Sequence, residues 1–438
     1  MKKTLKATAL LICFALTLAA LTSCADLIEI LLASVVDTSE TSQTVPYQTE
    51  TREPETYPQT DETETETEEN VTEPRIEPYV NEYVPSYPGG VVYINKNSQP
   101  ELFWKSTLKT DRDKTAYESI DKMVKNGKTE AVPGVSISFT DMGRIYTLYK
   151  LDHPGTVCYG ASYTARGYVN SIDALLPDLP FDKTGRQTAQ SKFDSAVNSI
   201  LSTIPDNASD IEAELIIYDW LCDNVEYDLN AKNAYSAYGA LVDKSCVCLG
   251  YADAFVYLCS KVGIPAIGVE GIADNGVQSE KHRWCLVQIG GKWYETDPTW
   301  GHGHDQERYL YFNNSDYLQT NHYTDKEMLT YLPDSYAEGA SYFNYYGLCF
   351  DENGFDEAFL RALDRCSDMM SGTPTGHAVL KADSEETAEK YAEMIENESG
   401  NIPGLMRRFN AGKDSTYIIY GDTKIVNSDI IIFTVCRY

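Results

Sequence analysis

Three side chains in the middle of the chain carry the groups of a nucleophilic triad: a thiol at Cys248, an imidazole at His282 and a carboxylate at Asp297. A thiol becomes a strong nucleophile when an imidazole takes its proton, and a carboxylate on the other side of the ring fixes the orientation of that imidazole. A set of this kind performs acyl transfer through a thioester on the cysteine. These three residues are therefore the catalytic candidates of the sequence.

The sequence around Cys248 predicts the start of a helix. Apolar residues at Ala252, Phe255 and Cys259 follow helical spacing, and Gly263 ends the pattern. The first N–H groups of a helix and its dipole favour a thiolate, and the same donors can bind a developing oxyanion. We therefore expect Cys248 at or just before a helix N-terminus, where an inert core cysteine would be poorly placed.

The other two candidates lie in a predicted β-hairpin. The strands 282–289 and 292–297 flank the pair Gly290-Gly291, a strong signal for a two-residue turn that pairs residue 289 with residue 292. Extending this register along the strands places His282 and Asp297 on the same face as diagonal neighbours. The hairpin alone is thus predicted to bring the imidazole and the carboxylate together.

Three short stretches carry a family resemblance: Val-Cys-Leu-Gly-Tyr-Ala at 247–252, His-Arg-Trp at 282–284 and Asp-Pro-Thr-Trp at 297–300. From about residue 211 to 311 the chain resembles the transglutaminase-like superfamily, a branch of the papain-like fold. The resemblance implies an α+β core in which a helix carrying the cysteine packs on an antiparallel sheet carrying the histidine and the aspartate. It also implies that Cys248 is the nucleophile, His282 the general base and acid, and Asp297 the residue that orients the ring.

Some alternatives remain open at this stage. Cys246, where a small residue is common in similar sequences, introduces a second thiol that could form a reversible disulfide with the nucleophile or act as a resolving thiol. Cys246 and Cys248 together with His302 and His304 also have zinc-like spacing, although nothing in the sequence orders them into a tetrahedron. The favoured prediction has no cofactor and no metal.

Three functional classes fit the predicted site. The first is a hydrolase of peptide or protein amides, in which water resolves the thioester. The second is a protein cross-linking transglutaminase, in which a lysine amine resolves it. The third is a surface binding module that keeps the fold without turnover. We expect hydrolysis, because an exposed enzyme works in water and nothing in the sequence indicates a closing lid.

The N-terminal region predicts export and anchoring. Positive residues at 2, 3 and 6, an apolar run over 7–21 and a Leu-Thr-Ser-Cys sequence at 21–24 resemble a bacterial lipoprotein signal peptide, with lipid attachment at Cys24. Residues 25–88 are predicted to form a disordered acidic tether, since the Thr/Glu/Pro-rich part over 37–88 carries fourteen acidic and only two basic residues. The expected location is the outer face of the bacterial cytoplasmic membrane.

The remainder of the chain is acidic, with 50 acidic and 31 basic residues over 89–438. It has no basic stripe, which argues against nucleic acid as a partner. The expected substrate is a peptide, a protein or a cell-wall polymer, and composition does not choose among these three. A body of this length predicts two to three domains. We divide it into an N-terminal α+β module at 89–195, a transglutaminase-like catalytic core at 196–333 and a C-terminal α+β accessory domain at 334–438.

Local patterns give further expectations for these regions. In the N-terminal module we expect a helix at 115–125 and strands at 135–139 and 144–151. In the core we expect a capping box at 209–212 that starts a helix packed on the helix of Cys248. The C-terminal domain is predicted to contain helices at 357–370 and 385–397. Strands are predicted at 377–381, 416–420 and 430–435.

Overall fold

The structure is a computed structural model that describes residues 76–87, 90–96, 102–303, 306–370 and 373–438. The predicted signal peptide with Cys24, the tether as far as residue 75, and His304 lie outside the described residues. No helix within the described ranges is long and apolar enough to cross a membrane.

The N-terminal region combines helices with a two-stranded ribbon. Its elements are α1 (Phe103–Thr107), α2 (Asp111–Lys125), α3 (Phe139–Asp152), β1 (Tyr163–Tyr168) and β2 (Ser171–Pro177). Helix α2 confirms the prediction at 115–125 and begins four residues earlier. The two predicted strands are wrong, because 135–138 is irregular and 144–151 lies inside α3.

Helix α3 shows why the strand prediction failed. The Ser138 side chain caps the helix by accepting a hydrogen bond from the Asp141 backbone N–H at 3.0 Å. Met142, Ile145 and Tyr149 then follow helical spacing and are all buried. The segment contains aromatic and β-branched residues, which also suit a strand, and the cap together with this buried face decides in favour of the helix.

The core begins with two helices and short strands that lead to the nucleophile. Its first elements are α4 (Gly185–Leu201), α5 (Asp210–Asn224), β3 (Glu226–Tyr227), a π-helical turn (Gly239–Asp243), β4 (Ser245–Cys246) and α6 (Cys248–Lys261). The predicted capping box is confirmed, since Ser209 and Glu212 exchange side-chain and backbone hydrogen bonds. Helix α5 packs against α6 as expected.

A four-stranded antiparallel sheet follows. Its strands are β5 (Ala266–Asp274), β6 (Ser279–Ile289), β7 (Lys292–Thr296) and β8 (His322–Thr324), in the order β7-β6-β5-β8. Ile289 pairs with Lys292 and Cys285 pairs with Thr296, so the predicted hairpin register is confirmed over the whole ladder. The 3₁₀ turn Gln306–Tyr311 and the short helix α7 (Ser315–Leu318) lie between β7 and β8 in sequence. The short helix α8 (Lys326–Leu329) follows β8.

The two faces of this sheet pack against different parts of the molecule. Cys285 and Val287 belong to one hydrophobic cluster with residues of α5 and α6. Trp284 and Leu286, which alternate with them along β6, belong to a second cluster with the N-terminal helices. The sheet is therefore a middle layer, with α6 on one side and the N-terminal region on the other.

The C-terminal region is a mixed α/β unit. Its elements are α9 (Tyr342–Tyr345), β9 (Cys349–Phe350), α10 (Phe355–Met369), β10 (Thr375–Ala382), α11 (Glu385–Glu396), α12 (Ile402–Asn410), β11 (Tyr417–Ile419), β12 (Lys424–Val426) and β13 (Ile430–Arg437). The two helices and three strands predicted here are confirmed, whereas α9, α12, β9 and β12 were not predicted. Residues of this region share the first hydrophobic cluster with the core.

A segment of the predicted tether, 76–87, lies along this C-terminal region. The Tyr79 backbone N–H donates to the Arg408 carbonyl oxygen at 3.2 Å. The Arg361 guanidinium stacks over the Tyr83 ring at 4.9 Å, and the Tyr83 hydroxyl donates to the Asn344 carbonyl oxygen at 3.1 Å. The end of the tether is thus attached to the folded body through aromatic side chains.

Candidate active site

Cys248 is the first residue of α6 and is 7% exposed. The residue before it, Val247, is the N-cap and has no side-chain acceptor, so no cap hydrogen bond forms. Main-chain N–H groups of a first helical turn have no intrahelical acceptor. The predicted placement of Cys248 at a helix N-terminus is confirmed, and the first main-chain N–H groups of α6 are the candidate donors for an oxyanion.

His282 and Asp297 form a buried hydrogen-bonded pair. The His282 Nε2 atom lies 2.8 Å from Asp297 Oδ2, and the two side chains are 3% and 0% exposed. A carboxylate only accepts hydrogen bonds, so Nε2 carries the proton and donates it. The predicted contact between the two residues is therefore present in the structure.

The carboxylate is held by the backbone that follows β7. The ladder between β6 and β7 ends at Thr296, and the Asp297 backbone N–H donates instead to the Tyr311 carbonyl oxygen at 2.8 Å. The predicted extension of the hairpin register as far as Asp297 is therefore wrong, although the side chains of His282 and Asp297 meet as predicted. The Thr299 backbone N–H donates to Asp297 Oδ1 at 2.8 Å, which closes a tight turn around the carboxylate.

The electrostatics of the pair favour the charged forms. Burial lowers the pKa of His282, but the charge and hydrogen bond of Asp297, together with an interaction with the Cys248 side chain, outweigh burial and raise the pKa to about 10. Burial likewise raises the pKa of Asp297, and the positive charge and hydrogen bond of His282 reverse this and hold it well below its ordinary value. The site thus keeps an imidazolium near neutral pH.

Helix α6 meets the sheet in a way that the hairpin alone did not predict. Its body contacts the side chains that alternate with His282: the Arg283 Nη1 atom donates to Asp253 Oδ1 at 2.8 Å, and the Cys285 Sγ atom lies 3.7 Å from the Ala252 carbonyl oxygen. Arg283 also binds Glu270 on β5. The helix therefore crosses the other face of the sheet, and its first residue interacts with His282 in the first half of β6.

A second imidazole, which the sequence did not single out, also binds the carboxylate. His322 on β8 is buried, and its Nε2 atom lies 3.2 Å from Asp297 Oδ2. The contact depends on the pairing of β8 with β5, a long-range pairing for which the sequence gives no local signal. The only trace is a histidine in a short β-prone stretch, His322–Thr324.

Aromatic rings enclose the imidazoles. The Trp284 ring is stacked near His282 with 6.2 Å between ring centroids, and the half-buried Trp300 ring lies 5.9 Å from His282 and 4.6 Å from His322. The Trp284 indole N–H donates to Glu295 Oε2 at 3.1 Å. The tryptophans of the two family-like stretches thus form walls of the site, and these walls limit the access of water to the imidazoles.

Two sets of side chains carry groups of the kind that bind metals. Atoms of His282, Asp297 and His322 lie within 4.8 Å of one another, but the nitrogen–oxygen separations of 2.8 and 3.2 Å are those of hydrogen bonds that use protonated ring nitrogens. The alternative zinc-like set of Cys246 and Cys248 does not come together with His302 in the described part of the chain. The His302 Nδ1 atom lies instead 3.3 Å from the Cys222 carbonyl oxygen.

The remaining thiols near the site are poor nucleophiles. Burial, helped by the neighbouring Cys248, raises the pKa of the Cys246 thiol well above its ordinary value. Cys222, Cys259 and Cys285 are buried free thiols that pack as small hydrophobic residues. A disulfide or resolving role for Cys246 stays a prediction, and Cys246 is a free thiol in the structure.

Comparison with known proteins identifies the class of this region. Residues 197–298, which contain the cysteine, histidine and aspartate, match the family described as the Transglutaminase-like superfamily. The resemblance predicted from three short motifs is thereby confirmed for this segment, as is the α+β fold in which a helix carrying the cysteine packs on an antiparallel sheet.

Two curated relatives match over 149 residues. The kyphoscoliosis peptidase of Mus musculus is 29% identical and that of Homo sapiens 30% identical, and each match covers 31% of this chain and 22% of the relative. This chain therefore spans less than a quarter of the length of either relative.

Solved structures with local similarity include a candidate cysteine protease from Cytophaga hutchinsonii and the periplasmic domain of TgpA from Pseudomonas aeruginosa bound to ethylmercury. The first is 26% identical over 27% of this chain and 40% of that chain, with a TM-score of 0.22. The second is 17% identical over 33% of this chain and 60% of that chain, with a TM-score of 0.20.

Proposed function

We propose that this protein is a cell-surface cysteine acyl-transfer enzyme that forms a thioester on Cys248 and hydrolyses peptide or protein amides. The observation that carries the proposal is the 2.8 Å hydrogen bond between His282 and Asp297 in a buried site whose imidazole also interacts with Cys248. Burying an ion pair costs free energy that a purely structural sheet does not need to spend. A binding module without turnover would have no use for it.

The proposed reaction follows from the positions of the protons. Because Nε2 of His282 binds Asp297, Nδ1 is the nitrogen that exchanges a proton with the Cys248 thiol. The sulfur forms a bond with the amide carbonyl carbon, the carbon–nitrogen bond breaks, and the imidazolium gives its proton to the leaving amine. The first main-chain N–H groups of α6 stabilise the oxyanion.

The second half-reaction regenerates the enzyme. The neutral imidazole takes a proton from water, and the water oxygen attacks the thioester carbon. The carbon–sulfur bond then breaks, a carboxylic acid leaves, and the thiolate–imidazolium pair is restored. An amine in place of water gives a new amide, which is the transglutaminase outcome from the same residues.

The names of the two curated relatives favour hydrolysis over cross-linking. Both curated relatives are named as peptidases. The N-terminal sequence further supports a protein held outside the bacterial cytoplasmic membrane by a lipid on Cys24. Surface peptides, proteins and cell-wall polymers are the substrates within reach of such an anchor.

A thiol-directed alkylating probe tests the enzyme assignment. We expect Cys248 to be labelled faster than every other thiol, and the His282→Ala variant to lose this advantage because no imidazolium stabilises the thiolate. His302→Ala is the matched control, since His302 contacts the Cys222 carbonyl oxygen and not the triad. Equal labelling of all accessible cysteines would refute a catalytic Cys248.

A second assay separates hydrolysis from transamidation. The protein is incubated with a glutamine-containing peptide and a labelled primary amine. Ammonia release or backbone cleavage without incorporation of the label supports a hydrolase. Stable, Cys248-dependent incorporation of the amine would overturn hydrolysis in favour of cross-linking.

A further inference from the structure

The Asp297 carboxylate is restrained at both oxygens. Its Oδ1 atom accepts the Thr299 backbone N–H at 2.8 Å. Its Oδ2 atom is shared by two imidazole nitrogens, His282 Nε2 at 2.8 Å and His322 Nε2 at 3.2 Å. The oxygen that orients the proposed base is therefore also held by a second histidine.

We propose that His322 is a positioning residue of the active site, which donates from Nε2 to Asp297 and fixes the rotation of its carboxylate so that Oδ2 stays directed at His282. This inference rests on the proposed function for the identity of the base. His322 acts through Asp297, and its own ring is not assigned a contact with substrate.

The His322 ring is itself fixed at several points. Its side chain is 0% exposed, and its Nδ1 atom lies 2.5 Å from Asn321 Oδ1. The Asn321 carbonyl oxygen accepts the Asp274 backbone N–H at 2.8 Å, and His322 pairs with Ala273, so the base of the side chain belongs to the sheet. A ring restrained on both nitrogens can set the position of its partner.

The middle strand leaves space for this arrangement. Gly271 on β5 pairs with His282 on one side and with Thr324 on the other. A Cβ at this position would lie 2.2 Å from the Tyr323 carbonyl oxygen and 2.8 Å from the Cη2 atom of Trp284. Because position 271 carries only hydrogen, β8 and the Trp284 ring approach closely enough for His322 to reach the carboxylate.

Two consequences separate positioning from simple packing. Without the His322 N–H, the carboxylate gains rotational freedom, and the fraction of molecules with a correctly oriented His282 falls. At the same time Oδ2 is no longer shared and becomes a stronger acceptor for His282, so the pKa of His282 rises. A residue that only fills space would produce neither the loss of orientation nor the rise.

The test compares His322→Phe with His322→Gln in the full chain. Phenylalanine keeps an aromatic ring but has no donor, whereas the glutamine amide can still donate to Asp297. The readouts are the labelling rate of Cys248, the pH titration of the His282 ring by NMR among the six histidines of the chain, and the thermal unfolding midpoint. His302→Phe is the control for the loss of a histidine outside the triad.

We expect His322→Phe to slow labelling by about 10- to 100-fold, a loss typical of removing a residue that orients another functional side chain. The His282 titration should move to higher pH, His322→Gln should recover most of both properties, and His302→Phe should change neither. If His322→Phe does not fold, His322→Gln and the milder Asn321→Ala carry the test, and Asn321→Ala should show a smaller change in the same direction.

Labelling and His282 titration that stay as in the wild type in His322→Phe would overturn the inference. Equal slowing by Phe and Gln with no shift of the His282 titration would also overturn it, since that result indicates packing alone. If no variant hydrolyses an amide but His322→Phe still shifts His282, the proposed function fails and the positioning role stands.

Discussion

The two larger sheets of the molecule differ in what they bury. The C-terminal sheet, in the order β11-β13-β10-β9 with β12 on β13, buries apolar side chains such as Ile431 and Phe433. Among the described residues from 334 onward, the buried polar side chains are uncharged: Ser335, Ser341 and Thr387. The core sheet and the turn after β7 instead bury acidic, basic and imidazole side chains, which are His282, Arg283, Glu295, Asp297 and His322.

This difference makes the core sheet the better candidate for a functional site. A buried charge loses its hydration, and the loss is recovered only when hydrogen bonds satisfy it, so hydrocarbon is the better choice for stability alone. Each of these five side chains has a hydrogen-bond partner, as with Glu295, which accepts from the Trp284 indole and from Gln319 and Ser335. A sheet that carries such a network at this cost is the place to expect chemistry.

The largest expected effect contrasts two buried cysteines, one in each region. Cys248→Ala should reduce amide turnover by at least about 10⁴-fold because no thioester forms, while folding is retained. The matched control is Cys366→Ala on α10, a buried free thiol in the C-terminal region, which should keep the turnover of the wild type. Initial-rate assays and unfolding curves on both variants make the comparison. Turnover retained in Cys248→Ala would show that chemistry does not pass through this sulfur.

The next effect concerns stability. Arg283→Met should lower the free energy of unfolding by about 3–5 kcal/mol, because it leaves the buried Asp253 carboxylate without its ion-pair partner. The double variant Arg283→Met with Asp253→Leu should recover much of this loss, since no unpaired charge then remains in α6. Denaturant unfolding measures both variants. A double variant no more stable than the single one would mean that the arginine acts by packing.

A smaller effect appears in the dependence on pH. The pKa of His282 is raised from its ordinary value to about 10, so the stability that this histidine contributes is fully present below pH 6.5 and is lost as the pH rises through about 10. The pKa of Asp297 is lowered, so its contribution is present above its ordinary value and is lost as the pH falls through the lower folded value. The alkaline limb of activity should lie near pH 10.

Asp297→Asn tests this assignment against the C-terminal sheet. Loss of the negative charge should move the alkaline limb to lower pH and flatten the alkaline fall in stability. Phe433→Leu, in the apolar sheet, should lower stability by a similar amount at every pH and leave the limb in place. Rate profiles and unfolding curves from pH 5 to 11 distinguish the two. An unmoved limb in Asp297→Asn would assign the titration to another group.

The parts of the site set by local rules could be predicted from the sequence. Gly290-Gly291 fixes a two-residue turn, and the alternation of side chains then brings His282 and Asp297 together. The helix that begins at Cys248 follows from apolar spacing and a glycine stop. These features depend on residues close in sequence, where turn geometry and periodicity leave little freedom.

The parts set by long-range pairing could not be predicted. His322 reaches Asp297 only because β8 pairs with the far side of β5, and a three-residue strand gives no periodic signal. The side of the sheet on which α6 lies also depends on which faces the N-terminal and C-terminal regions cover. In α3, the aromatic and β-branched residues over 144–151 suited either secondary structure, and the cap and the buried face decide in favour of the helix.

Position 271 should tolerate few substitutions. It has no functional group, yet any side chain there would separate β5 from the strand beside it and turn the Trp284 ring away. A saturation mutagenesis screen would therefore rank this glycine with the nucleophile and its partners, although it takes no part in any proton transfer. Variants designed to alter specificity should therefore leave this glycine and its neighbours unchanged.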